Sequence, residues 1–152
     1  MSRQTNETDG IHASQIMKIT LQHQLSIALE NQPGRLARVS RLLADRGINI
    51  EAISVIDNVE QGMVRMLTSD PAAARQLVES SGFPVVEAEV LAIYTTDRLG
   101  RLALIAEALA GAGINIEYAY ASVDHHGAQT LLVLKTSRPK KAREILAALP
   151  ES

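Results

Sequence analysis

The sequence predicts an α+β fold made of two βαββαβ units, each an antiparallel sheet with its helices on one face. Three observations carry that expectation. The pentapeptide GINIE occurs twice, at Gly47 to Glu51 and at Gly113 to Glu117. The longer stretch GRLARVSRLLADRGINIE (34–51) aligns without a gap on GRLALIAEALAGAGINIE (100–117), 66 positions later, with 11 identities in 18. Strand-like and helix-like periodicities then succeed one another in the same order around both stretches. Solenoid repeats usually recur every ~20–50 residues, so a longer period points to two copies of a small domain.

In the first copy HQLSIALE (23–30) alternates as a strand does, and NQPG (31–34) supplies turn chemistry, with Pro33 suited to a first helical turn. Leu36, Val39, Leu42 and Leu43 recur at helical spacing, and Gly47 stands where a left-handed cap ends a helix. INIEAISVID (48–57) is rich in β-branched residues, VEQG (59–62) makes a turn, and MVRMLTSD (63–70) returns as a second hairpin strand. Pro71 opens an alanine-rich helix that ends near Gly82, and PVVEAEV (84–90) is again strand-like. The order is that of a ferredoxin-like unit.

The second copy repeats the plan: strand VLAIYTTD (90–97), a helix carrying Leu102, Ile105 and Leu109, strand INIEYAYASV (114–123), a turn around HHG (125–127), strand AQTLLVLKT (128–136) and a helix from Pro139. No strand comes after Leu149, whereas the apolar segment IMKITLQ (16–22) is surplus ahead of the first copy. An open sheet edge exposes unpaired backbone groups, so the surplus segment is expected to stand in for the missing strand. The domain reading is a disordered polar N-terminus at 1–15, a first unit with an extra strand at 16–88, and a second unit lacking its own last strand at 89–152.

Composition narrows the function. Fifteen Lys and Arg against 17 Asp and Glu give a net charge of −2, and there are only four aromatic residues, three Tyr and one Phe. That leaves neither a basic excess for a phosphate backbone nor a stacking platform, so nucleic acid is excluded as a partner. The absence of cysteine removes disulfides, thiolate metal sites and thiol nucleophiles. The first fifteen residues are polar, no run approaches membrane-spanning length, and a cytoplasmic location without membrane contact is expected.

A strand ending in NQPGRLARV, a helix, and RGINIE opening the next strand together resemble the ACT domain, a small regulatory module that binds amino acids. The likeness extends over roughly 23–149 and is identified as a tandem of two ACT domains. It is most specific in the first copy; the second has Asp97 for Asn31 and Leu99 for Pro33. The resemblance implies a free amino acid as ligand, a homodimer, and no cofactor, metal or catalytic residue. It implies Asn31 as a polar contact, Gln32, Pro33, Gly34, Arg35 and Leu36 as the binding loop and helix start, and Asn49 reaching the same ligand from the next strand. The second-copy equivalents are Asp97, Gly100, Arg101 and Asn115. There is a physical reason for such a loop: a helix N-terminus presents unpaired N–H groups that favour a carboxylate, a glycine lets a ligand approach the backbone, and an Asn oxygen accepts from an ammonium. The stretch LSIALENQPGRLARVSRLLADRGINIEAISV (25–55) also resembles the opening of the small subunit of acetolactate synthase, which implies regulation of an amino-acid biosynthetic enzyme as the alternative.

Plainer readings stand beside these. Asn31 also suits an N-cap or turn. Asn49 and Asn115 sit in apolar strands and must be edge-exposed or paired, because a buried polar group without partners costs roughly 1–3 kcal/mol. Arg35 and Arg101 also suit a solvated helix face, and Arg65, set between Met63, Val64, Met66 and Leu67, suits pairing with a ligand or, as the first reading, with an acid across an interface. Tyr118 and Tyr120 share a strand face and suit aromatic packing there. Catalytic motifs are lacking: there is no phosphate loop, AGAGINI lacks the third glycine of a dinucleotide fingerprint, and His125 and His126 point to opposite strand faces at a hairpin tip. The chain is read as a binding protein and not an enzyme.

Overall fold

The computed structural model describes residues 17–57, 61–96, 100–123 and 129–150. Ten elements come in order: β1 (Lys18–Leu29), α1 (Arg35–Asp45), β2 (Ile50–Asp57), β3 (Gly62–Thr68), α2 (Pro71–Ser80), β4 (Val85–Thr96), α3 (Arg101–Gly111), β5 (Ile116–Val123), β6 (Gln129–Thr136) and α4 (Pro139–Ala147). Both βαββαβ units are present, and their strands merge into one six-stranded antiparallel sheet of order β2-β3-β1-β4-β6-β5.

The merger is made by β1 and β4. No turn residue separates Gln22 from His23 or Ala88 from Glu89, so each apolar run forms one twelve-residue strand where the sequence reading has two segments. The C-terminal part of β1 pairs with β3, from Leu25 opposite Met66 to Leu29 opposite Gly62. On its other side β1 pairs with β4 along most of its length, from Lys18 opposite Tyr94 through Gln22 opposite Val90 to Ile27 opposite Val85, while β6 flanks β4 beyond, Leu91 opposite Leu134. Residues 18–22 thus lie beside the first strand of the second copy. Met17, Ile19 and Leu21 pack into the core under α3 and α4 with Leu91, Ile93, Ile105 and Leu134. Four residues on, the same face of β1 gives Leu25, Ile27 and Leu29 to the core under α1 and α2.

The repeated pentapeptide has a structural cause. Gly47 and Gly113 take positive φ of 69° and 70° immediately after α1 and α3, and Ile48 and Ile114 are buried in the two cores. A β-bulge then falls at Glu51, between Ile50 and Ala52, and at Glu117, between Ile116 and Tyr118. A bulge adds one residue and so swaps the faces to which the rest of the strand points. Ile50 and Ile116 therefore turn to the helices, and Ala52, Tyr118 and Tyr120 turn to the bare side.

That bare side is covered by the sheet itself. β2 and β5 are at opposite edges of the strand order yet touch, so the sheet curls over its helix-free face. Inside lie Ala52, Leu67, Val90, Ala92, Leu131 and Val133, with Tyr94 and Tyr120 against them. Gln24, fully buried, is the polar centre of the seam: its Nε2 donates to the Tyr118 hydroxyl at 2.6 Å and to Ser26 Oγ at 3.3 Å, and its Oε1 accepts from the Tyr120 hydroxyl at 2.9 Å. Burial pushes the Tyr120 phenol pKa well above its ordinary value; the Tyr118 ring adds to the rise and the Arg65 charge opposes it. Arg65 does not pair with an acid as its sequence position suggests. Its guanidinium stacks 3.6 Å from the Tyr118 ring centre, because β3 of the first copy and β5 of the second meet across the seam.

Candidate functional site

At the end of β1 the chain turns through residues 31–34 into α1. Gly34 has φ 87° and ψ −9°, a left-handed conformation with no Cβ to oppose it, and Gly100 repeats it before α3 at φ 83°. Gly34 is the N-cap residue of α1, and no side chain caps that helix. Asn31 is thus not the cap, and Pro33 precedes the helix instead of opening its first turn. The Asn31 Nδ2 donates to Asp57 Oδ1 at 3.1 Å, tying the loop to the last residue of β2. Arg35, first in the helix, donates from Nη2 to Glu30 Oε2 at 2.9 Å.

These residues enclose a pocket of about 220 Å³. Its polar rim is Glu30, Asn31, Gln32, Arg35 and Asp57; its apolar side-chain walls are Leu29, Leu36, Val55 and Val64, with Ile56, Gly62 and Met63 bordering it along the strands. A Cβ at Gly62 would sit 3.0 Å from the Leu29 carbonyl oxygen, tighter than ordinary van der Waals contact, so glycine eases the close approach of the strands there. Two carboxylates against one guanidinium leave the rim one negative charge in excess. Sequence reasoning missed Asp57 and Glu30; both are acids at a strand's polar end, and only the fold brings them to the loop.

Asn49 is elsewhere. It precedes β2, and Asp57 closes that strand eight residues later, roughly 25 Å away at strand rise. Its backbone exchanges hydrogen bonds with Ser69, to Oγ at 2.9 Å and from its N–H at 2.9 Å, and its side chain is exposed. Within one chain it does not reach the Asn31 loop. Asn115 repeats this arrangement with Ser137 at 3.2 and 3.0 Å. In the second copy Gly100 and Arg101 begin α3, and Arg101 Nε is buried without a partner among the described residues. Asp97, His125 and His126 lie outside the described residues, as do residues 1–16.

A larger groove of about 440 Å³ lies at the far end of α1 between Arg46, Ile48, Asp70, Ala73, Gln76, Leu77 and Ser80. Its acid, Asp70, already caps α2 by accepting from the Ala73 N–H at 3.1 Å. Among the described residues no cluster of His, Asp and Glu is arranged to hold a metal, and no helix is long and apolar enough to cross a membrane.

Two βαββαβ units sharing one sheet, with a glycine-turned loop entering a helix in each, define a paired regulatory module. The chain belongs to the family described as the ACT domain pair, whose model matches residues 19–149. Among solved structures it resembles protein BT0572 from Bacteroides thetaiotaomicron, with 32% identity, a TM-score of 0.77, and coverage of 84% of this chain and 88% of that one. It also shares the fold of the regulatory subunit of aspartate kinase from Thermus thermophilus, solved ligand-free, with 19% identity, a TM-score of 0.63, and coverage of 90% and 99%. A shorter stretch of 44 residues is 46% identical to the acetolactate synthase small subunit of Mycolicibacterium smegmatis, spanning 29% of this chain and only 26% of that protein.

Proposed function

We propose that this protein is an amino-acid sensor that acts by binding and performs no chemistry of its own. The carrying observation is the pocket at the β1–α1 loop, where the uncapped start of α1, the Asn31 amide and the Asp57 carboxylate surround a cavity of about 220 Å³. A zwitterion matches that rim: its carboxylate suits free helix N–H groups and its ammonium suits side-chain oxygens. Ligand binding would shift how the two copies dock through the Gln24 seam. Leu36, Ile53 and Val55 leave an apolar margin exposed beside the pocket, which supports a homodimer in which a second chain covers it.

A thermal-shift screen against the twenty amino acids tests this reading. A ligand at one hundred times its dissociation constant stabilises the fold by about 2.7 kcal/mol, a rise of roughly 5–10 °C for a chain of this size. Asn31→Ala should weaken the hit by about 1 kcal/mol, near fivefold. No shift with any amino acid would refute the proposal. A second reading, a regulatory subunit of a biosynthetic enzyme such as acetolactate synthase, is supported by the 44-residue match. Co-purification with a large catalytic subunit would favour it.

A further inference from the structure

We infer that the loop pocket of the first copy takes an amino acid with an apolar side chain, one per chain, and that Asp57 is the acceptor for its ammonium group. The inference rests on the amino-acid reading above and goes beyond it in ligand class, stoichiometry and the residue that selects.

Size comes first. A cavity of about 220 Å³ has the volume of roughly seven liquid waters, below the ~300–1,000 Å³ of pockets for drug-sized ligands, and so fits a molecule of free amino-acid dimensions. Polarity is divided within it. Every polar lining side chain comes from residues 30–35 or from Asp57, whereas β1, β2, β3 and α1 otherwise contribute the side chains of Leu29, Leu36, Val55 and Val64. A ligand with its charged end at the loop directs its side chain to those walls, where a hydroxyl or amide would find no partner.

Charge names the acceptor. Arg35 and Glu30 neutralise each other at 2.9 Å, but Asp57 is met only by the neutral Asn31 amide, and no cation lies within ion-pair distance of it among the described residues. An ammonium supplies the missing charge. Among the described residues the second copy does not repeat this arrangement. Asp57 and Val123 hold equivalent places, each ending a strand opposite a residue at or next to the start of its hairpin partner, Gly62 and Thr130. Glu30 corresponds to Thr96, and the wall residue Leu29 to Thr95. Thr96 and Val123 thus stand where the first copy has its two rim carboxylates, and Thr95 makes the equivalent wall more polar.

Calorimetry on the full chain decides it, with L-valine, L-leucine, L-isoleucine, L-methionine, L-serine and L-lysine as probes. At least one of the four apolar amino acids should bind with a stoichiometry of one per chain. For that probe, the deaminated acid should fail to bind. Asp57→Asn, at an exposed position and still able to accept from Asn31, should keep the wild-type urea midpoint and lose affinity by about tenfold or more. Unchanged affinity in Asp57→Asn, two sites per chain, or binding of serine or lysine with none of the apolar four would overturn the inference while the amino-acid reading stands. Absence of binding by all twenty amino acids overturns both.

Discussion

Replacing Gln24 by Met tests whether the two copies are held together by the seam inside the curled sheet. The side chains are similar in volume, so the change removes hydrogen bonds without opening a large cavity. Three are lost: 2.6 Å to Tyr118, 3.3 Å to Ser26 and 2.9 Å from Tyr120. A buried group deprived of its partner costs roughly 1–3 kcal/mol, and here the Tyr120 hydroxyl loses its acceptor and Tyr118 its donor. Both tyrosines are half-buried, so water recovers part of the loss, and about 2–4 kcal/mol of destabilisation is expected. For a chain of this length that lowers Tm by roughly 5–15 °C. Calorimetric melting of Gln24→Met, Tyr120→Phe and the double variant forms a cycle. Because the partners touch, the coupling energy should exceed ~0.5 kcal/mol. Loss of less than that in Gln24→Met, or additive single effects, would mean that the network does not hold the seam.

The same geometry sets other outcomes. Gly34→Ala places a Cβ at φ 87° with no atom within 4 Å, so it should destabilise by about 1–2 kcal/mol through backbone strain alone, and Gly34→Asn by less; urea titrations of the pair would show equal losses if strain is not the cause. Asp70→Ala removes the α2 cap bonded to Ala73 and should cost about 1 kcal/mol, measured as a shift in urea midpoint at unchanged slope. The raised Tyr120 pKa makes stability depend on high pH. The folded state holds that proton more tightly than the unfolded chain, so the contribution is complete below the unfolded value of 10.0 and falls as pH rises above it. Urea midpoints from pH 8 to 11 should decline at the alkaline end, and Tyr120→Phe should flatten the decline. Removing residues 1–22 strips the partners of β4 residues 90–94, so amide exchange should accelerate in β4 and α4; unaltered exchange would show that this strand segment is dispensable.

The sequence by itself determined the elements and their order. Helical spacing of Val39 and Leu43, the glycines after each helix, and alternation along the strands act within a few residues, and the two copies reinforce each other because identical local chemistry yields the same turn, bulge and strand twice. The loop that the resemblance implies, Asn31 to Leu36, is contiguous in sequence, and it borders the pocket. What the sequence left open depends on contacts between distant residues. The resemblance implies that Asn49 reaches the same ligand as Asn31, yet within one chain a strand's length separates them. Asp57 reads as a hairpin end, and it joins Asn31 only because β2 runs parallel to β1, one strand away, and ends at the same side of the sheet. Arg65 reads as half of an ion pair, but its partner is a ring 53 positions away, brought near by the curl of a sheet whose edges meet. Alternation assigns each strand residue to one of two faces. What covers a face is decided by the packing of the whole chain, and here the helix-free face is covered by the other copy.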